Sequence, residues 1–444
     1  MHKLENRAKM CLALAGILFI GIMIFTYRFV VHGKEWASFY GNNQIYTEGE
    51  INRGKIIDRN GTVLLDCTKS GIYYPENEAT RRSTVHVVGD TKGNVATGAI
   101  NLWKGDLIGY DILNGTYDTT AKGKEIKLTI DERANREAVS SLGEREGTVG
   151  VFNYKTGEIL CLANTPTFDP KGDIPSGDSP VFFNSFMSGL LTPGSTFKLV
   201  TSAAAIDNLA DINNFSFHCT GVSTINGSKI PCTGTHGTQD FKEALANSCN
   251  GAFGLLADRV GGDTLSTYMK DVGLKKSLEI NGIKTAKGSG HFPNNDDVKL
   301  AWAGIGQGDD LVNPCTMMVF MGAIANKGKA INPTLFEKSN LVKKIKGGKG
   351  LGRYLEEDTA NELKDMMKNN VVSNYGEENF GDLDIYGKSG TAEVGSERSD
   401  SWFVGFIDNP GKPYAFVVWV KNGGTGYQTA GPIARNVLEV LCGE

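Results

Sequence analysis

A chain of 444 residues with 46 basic and 50 acidic side chains carries a formal net charge of −4. That balance offers nothing to the phosphate backbone of a nucleic acid, so no nucleic-acid partner is expected, and the length suits roughly two to three domains. The 8 cysteines are spread along the chain, which excludes a disulfide-stapled scaffold.

Residues 1–10 carry Lys3, Arg7 and Lys9 against Glu5 and read as a short tail. Residues 11–31 open with CLALAGILFIGIMIFTY, which has no charge, and continue as RFVV. The run is long enough to cross a bilayer if Arg28 snorkels at the far interface. A cleaved signal peptide would need an A-x-A-like stretch of small residues afterwards, and 26–31 has none. Positive charge on the short N-terminal side places that end in the cytoplasm and the chain after residue 33 outside, so the expected location is the cytoplasmic membrane with a single span.

Residues 32–135 are expected to form a linker and a small β-rich pedestal. INRGKIIDRNGTVLLD (51–66) alternates about an Asn60-Gly61 turn, a hairpin signal, and TIDERANREAVSSL (129–142) offers Thr129 and Asp131 as helix caps. Residues 136–444 are expected to form one α+β domain, an antiparallel sheet flanked by helices. Its landmarks are a hairpin about NYKTGE (153–158), a helix from Gly194 onward, a mainly helical middle and three terminal strands before a last helix. The basic, Gly-rich stretch 343–354 reads as a solvated turn between strands. Trp402 and Phe403 read as core of the terminal sheet, in preference to a ligand platform.

HCTGVSTINGSKIPCTGTHG holds His218, Cys219, Cys232 and His236. Outside the membrane an oxidised Cys219–Cys232 pair is the favoured reading, closing a loop of about fourteen residues for ~3 kcal/mol. Free thiols come next, and a zinc set of those four residues is the weakest of the three.

Three short motifs carry chemistry. Ser195 and Lys198 are three apart in LTPGSTFKLV, the only S-x-x-K in the chain. A serine hydroxyl needs a base within hydrogen-bond reach, and a lysine is a base only when burial or a nearby positive charge keeps it neutral. Ser248-Cys249-Asn250 is the only S-x-N. Lys388-Ser389-Gly390-Thr391 lies in a strand pattern, unlike the K-[ST]-G copies at Lys69 and Lys155. Each alone has a bland reading, as a solvated lysine, a helix cap or a strand edge. Cys249 as a rival nucleophile lacks a histidine placed beside it.

In this order the motifs are the signature set of penicillin-binding proteins and class A β-lactamases, with Cys249 where that set has Asp. The chain resembles a class B penicillin-binding protein, a membrane-anchored peptidoglycan D,D-transpeptidase. The resemblance extends over RGKIIDRNG (Arg53–Gly61), YKTGEIL, PTFDP (Pro166–Pro170), GIGQG (Gly304–Gly308), KSGTAE and WFVGF (Trp402–Phe406). The short pedestal resembles the compact subgroup and leaves no room for a class A glycosyltransferase domain.

The resemblance implies roles. Ser195 attacks the carbonyl between the terminal D-alanines of a stem peptide, and Lys198 takes its proton. Ser248 relays a proton to the leaving D-alanine, and Asn250 holds the substrate amide and Lys198. Lys388 keeps Lys198 neutral and, with Ser389, Gly390 and Thr391, binds the substrate carboxylate. The backbone N–H groups of Ser195 and Thr391 form the oxyanion hole. Strict alternation points Lys388 and Thr391 to opposite faces, so either Gly390 marks a distortion or Thr391 acts through its backbone. β-Lactams are implied as covalent inhibitors, and a polytopic glycosyltransferase of the shape, elongation, division and sporulation family as partner. No metal or organic cofactor is implied. The alternatives are a β-lactamase or D,D-carboxypeptidase of the same fold, or a β-lactam sensor or non-enzymatic wall scaffold.

Overall fold

The computed structural model describes residues 2–112, 116–117, 123–225, 227–336, 349–393 and 398–443. Lys343, Lys344 and Lys346 of the 343–354 stretch therefore lie outside the described residues, and within the part that is described Gly350–Arg353 forms a strand paired with Lys329–Ile331.

Helix α1 (His2–Ala37) is long and apolar enough to cross a membrane, and its apolar side chains are exposed along its length. At its C-terminal end Lys34 pairs with Asp106. A four-stranded sheet follows, in the order β3-β2-β1-β4, from β1 (Lys55–Ile57), β2 (Val63–Thr68), β3 (Gly71–Tyr73) and β4 (Glu125–Lys127). The β1–β2 connection is the expected turn. Gly61 has φ +91°, and the buried Asp58 carboxylate accepts from the N–H groups of Asn60 and Thr62 at 2.8 Å. The other Asp58 oxygen accepts from Glu132 N, at the start of α3 (Glu132–Leu142), which follows α2 (Glu78–Val88), and so ties the small sheet to that helix. Asp131 caps α3 as expected. Thr129 does not, because its hydroxyl is spent on the carbonyls of Ile159 and Thr334.

The main sheet is antiparallel throughout. Its strands are β5 (Gly147–Asn153), β6 (Ile159–Thr165), β7 (Ile385–Glu393), β8 (Ser399–Asn409) and β9 (Lys412–Val420), in the order β6-β5-β9-β8-β7. Period-two side chains divide it into two faces. Val149, Val151, Phe403, Phe416 and Val418 join α3 and α8 (Gly426–Cys442) in one core. Phe152, Trp402, Val404, Phe406 and Val417 join the other, with α4 (Lys198–Asn208), α5 (Asn250–Val260), α6 (Pro314–Ala325) and α7 (Glu357–Asn370). Trp402 and Phe403 are thus core residues on opposite faces, and the Trp402 indole donates to Thr192 O at 3.0 Å.

Two features depart from the sequence reading. The helix expected from Gly194 begins at Lys198, and Gly194–Phe197 is a single 3₁₀ turn. The segment before α5 is also not simply helical. It holds two short ribbons, Ser216–Cys219 with Gly237–Asp240 and Val222–Ile225 with Ser228–Pro231. Four-residue strands of polar alternation give too little periodic signal to stand out.

Candidate active site

Three segments distant in sequence meet at one edge of the main sheet. The 3₁₀ turn carrying Ser195 packs against β7, and because side chains three apart eclipse in such a turn, Lys198 at its end still reaches Ser195. Two glycines permit the close approach. Gly194 has φ +53°, and a Cβ there would sit 2.6 Å from Thr391 O. A Cβ on Gly390 would meet Thr196 Cγ2 at 2.8 Å and Pro193 O at 3.0 Å.

Lys198 is 0% exposed. Its Nζ lies 3.0 Å from Ser195 Oγ, 2.6 Å from Ser248 O, 3.1 Å from Ser248 Oγ and 2.8 Å from Asn250 Oδ1. The Ser248 carbonyl and Asn250 Oδ1 can only accept, and Asn250 Nδ2 donating to Pro231 O at 3.0 Å fixes which end of that amide faces the lysine. Those two acceptors take both hydrogens of a neutral amine. The lone pair is left for a hydroxyl, which is the state a general base needs.

Lys388, also 0% exposed, lies 3.1 Å from Ser248 Oγ and donates to Ser389 O at 3.0 Å. The Ser248 hydroxyl therefore bridges two lysine nitrogens, and its backbone is held at φ +52°. Burial lowers Lys198 to about 7, and drives Lys388 well below its ordinary value with the Lys198 charge as second cause. Burial, and not the Lys388 charge, is thus the first reason Lys198 can be neutral, a departure from the sequence expectation.

The β7–β8 register runs unbroken from Ile385↔Ile407 to Glu393↔Ser399. Gly390 therefore marks no bulge, and Lys388 and Thr391 do face opposite ways. Thr391 Oγ1 accepts from Gly426 N at 3.2 Å, on the far face, so what Thr391 offers the site is its backbone. Ser389 is also turned away from Lys388, its hydroxyl 2.9 Å from the Tyr375 hydroxyl, which in turn accepts from Ser389 N at 2.9 Å. Beside Thr391 an open cleft of about 510 Å³ is lined by Trp302, Gln307, Lys299, His291 and Glu393 among others. Gln307 Nε2 reaches Thr391 O at 3.4 Å.

The sequence reading did not single out Gln307 or Tyr375 as site residues. Gln307 sits in the glycine-rich GIGQG, which was a signal, whereas nothing local marks Tyr375. Cys219 and Cys232, the expected disulfide partners, are free thiols here. They lie in one cluster with Cys249 and His236. His218 lies outside it, exposed and 2.9 Å from Thr238 Oγ1.

Residues 147–439 match the family model described as the penicillin binding protein transpeptidase domain. Stage V sporulation protein D of Bacillus subtilis is 28% identical over 365 residues, covering 72% of this chain and 54% of that protein, so the chain spans about half its length. Peptidoglycan D,D-transpeptidase PbpA of Mycobacterium tuberculosis is 27% identical over 365 residues, 72% of each. Among solved structures, M. tuberculosis PBPA aligns with TM-score 0.74 at 24% identity over 88% of this chain and 99% of that one. Pseudomonas aeruginosa PBP2 aligns with TM-score 0.73 at 23% identity over 88% and 96%. These two likenesses speak for the fold.

Proposed function

The chain belongs to the penicillin-binding protein transpeptidase family, and from that premise we propose that it cross-links peptidoglycan as a serine D,D-transpeptidase. The observation that carries the reading is the Lys198 amine, buried and held between the Ser195 hydroxyl and two acceptor-only oxygens. No surface lysine would be so enclosed.

The Ser195 proton passes to the Lys198 lone pair as Oγ attacks the carbonyl between two terminal D-alanines. The developing oxyanion is received by the backbone N–H groups of Ser195 and Thr391. Lys198 returns the proton through the Ser248 hydroxyl, which lies between both lysines, to the departing D-alanine nitrogen. An amine of a neighbouring stem peptide then attacks the acyl-enzyme and frees Ser195. Lys388 stands where an arriving carboxylate would restore its charge. A β-lactam, entering as the D-alanyl-D-alanine, acylates the same oxygen. M. tuberculosis penicillin-binding protein A is known as a penicillin G acyl-enzyme complex, which supports this step by likeness.

Helix α1 anchors the chain in the cytoplasmic membrane with its N-terminus inside and the catalytic domain outside. Residues 32–135 form the pedestal, and that pedestal with α1 is the contact for a polytopic glycosyltransferase that supplies the glycan strands. The full chain in detergent, incubated with benzylpenicillin, tests the reading by intact mass. A lasting adduct of one drug mass that is absent in Ser195→Ala is expected. Drug hydrolysis without an adduct would instead make this a β-lactamase, and neither adduct nor hydrolysis would leave a scaffold.

A further inference from the structure

The sulfurs of Cys219, Cys232 and Cys249 and a ring nitrogen of His236 all lie within 4.8 Å of one another. Cys232 Sγ is 3.8 Å from Cys249 Sγ and 3.7 Å from His236 Nδ1. Donors at the corners of a tetrahedron about Zn²⁺, with Zn–S about 2.3 Å and Zn–N about 2.0 Å, stand about 3.8 Å (S···S) and about 3.5 Å (S···N) apart. The donor set has three thiolate-forming sulfurs, one imidazole and no carboxylate, which selects a soft-ligand divalent ion over calcium or magnesium. Four separate elements bring the donors together. Cys219 ends one ribbon, Cys232 follows the other, His236 precedes the return strand at Gly237, and Cys249 caps α5. Cys219 and Cys249 are buried, while Cys232 and His236 are half-buried and give an ion a way in.

The cluster is also wired to the catalytic groups. Cys249 is the middle residue of Ser248-Cys249-Asn250. Asn250 N donates to Cys232 Sγ at 3.2 Å, as backbone amides do to metal thiolates, and Asn250 Nδ2 donates to Pro231 O, the residue before Cys232. Nothing else among the described hydrogen bonds clamps Asn250 from that side. We propose that Cys219, Cys232, His236 and Cys249 bind one zinc ion. Its part is to fix the Ser248-Cys249-Asn250 turn against Lys198. Four protein ligands close the site to substrate, so the ion is structural and takes no part in bond making. The four ligands act as positioning residues, and that part of the proposal rests on the transpeptidase reading, whereas the metal site does not. It also replaces the sequence expectation of no metal.

The test uses the full chain in detergent, stripped with a chelator and titrated with Co²⁺ alone. One equivalent should bind and give the visible absorption of tetrahedral, thiolate-ligated cobalt, displaced by Zn²⁺. Cys232→Ser should abolish that spectrum, and His236→Cys, which keeps four donors, should retain it. Chain alkylated under denaturing conditions at lysis should carry all 8 cysteines as thiols. Absence of the cobalt spectrum in the unaltered chain, or a Cys219–Cys232 disulfide at lysis, would overturn the site. Acylation by a fluorescent penicillin should slow about tenfold or more on metal removal and recover with Zn²⁺. Acylation indifferent to the ion would overturn its positioning part. A cobalt spectrum in a chain that no penicillin acylates would instead strike down the transpeptidase reading and leave the metal site standing.

Discussion

The pH dependence of acylation follows from the enclosure of Lys198. The lysine acts as base only when neutral, and burial sets its value at about 7, against an ordinary 10.5. The neutral fraction is then about 0.09 at pH 6, about 0.5 at pH 7 and about 0.9 at pH 8. The limiting acylation rate at saturating benzylpenicillin should therefore rise about tenfold between pH 6 and pH 8 and be flat above. Saturation matters because discharge of Lys388 would weaken drug binding and not the chemical step. Stopped-flow quenching of intrinsic fluorescence, or timed intact mass, reads the rate. Lys198→Arg, charged at every accessible pH and without a lone pair, should lose the reaction by several orders of magnitude and the pH profile with it. A rate that is flat from pH 6 to 8, or that falls, would refute the assignment of Lys198 as the base. The same shift has a stability face: the folded chain binds fewer protons than the unfolded one between pH 7 and 10.5, so stability rises with pH across that window.

Three structural predictions accompany it. Gly390→Ala places a methyl against Thr196 Cγ2 at 2.8 Å, Pro193 O at 3.0 Å and Trp402 Cβ at 3.1 Å. It should cost about 1–3 kcal/mol by thermal melt and push the Ser195 turn off β7, slowing acylation more than it lowers Tm would suggest. Asp58→Ala leaves the N–H groups of Asn60, Thr62 and Glu132 without their shared acceptor, and should destabilise the chain by about 3 kcal/mol, read by chemical denaturation. Tyr375→Phe removes both bonds to Ser389 and should weaken penicillin binding severalfold at an unchanged fold, as judged by circular dichroism.

Much of this was legible in the sequence because it rests on local signals. The apolar run after Lys9, the Asn60-Gly61 turn and the alternation of WFVGF each describe a neighbourhood a few residues wide, and each became the element expected. The grouping of Ser195, Ser248 and Lys388 depended on motif order, since nothing near any one of them says what it will touch. Three things were decided only in three dimensions. That Lys198 is neutral by burial is a property of the whole core around α4. That Thr391 turns away from Lys388 was visible as alternation, but only the unbroken register of β7 decided between the two readings. The partner of Cys219 and Cys232 was hidden because Cys249 belongs to another motif and His218 sits closer in sequence than in space.

The strand order of the main sheet has a consequence for how the chain comes into being. Residues 147–165 emerge early, yet the strand that joins them to the rest of the sheet is Lys412–Val420, made long after them. Long-range pairing of that kind cannot begin until the sequence between has been produced. A nascent chain that stops short of Lys412 can hold the Ser195 turn and even the β7–β8 hairpin, but nothing yet joins the hairpin to β5. Reactivity toward a penicillin should therefore arrive all at once, and stalled chains of increasing length should stay unlabelled until β9 is complete.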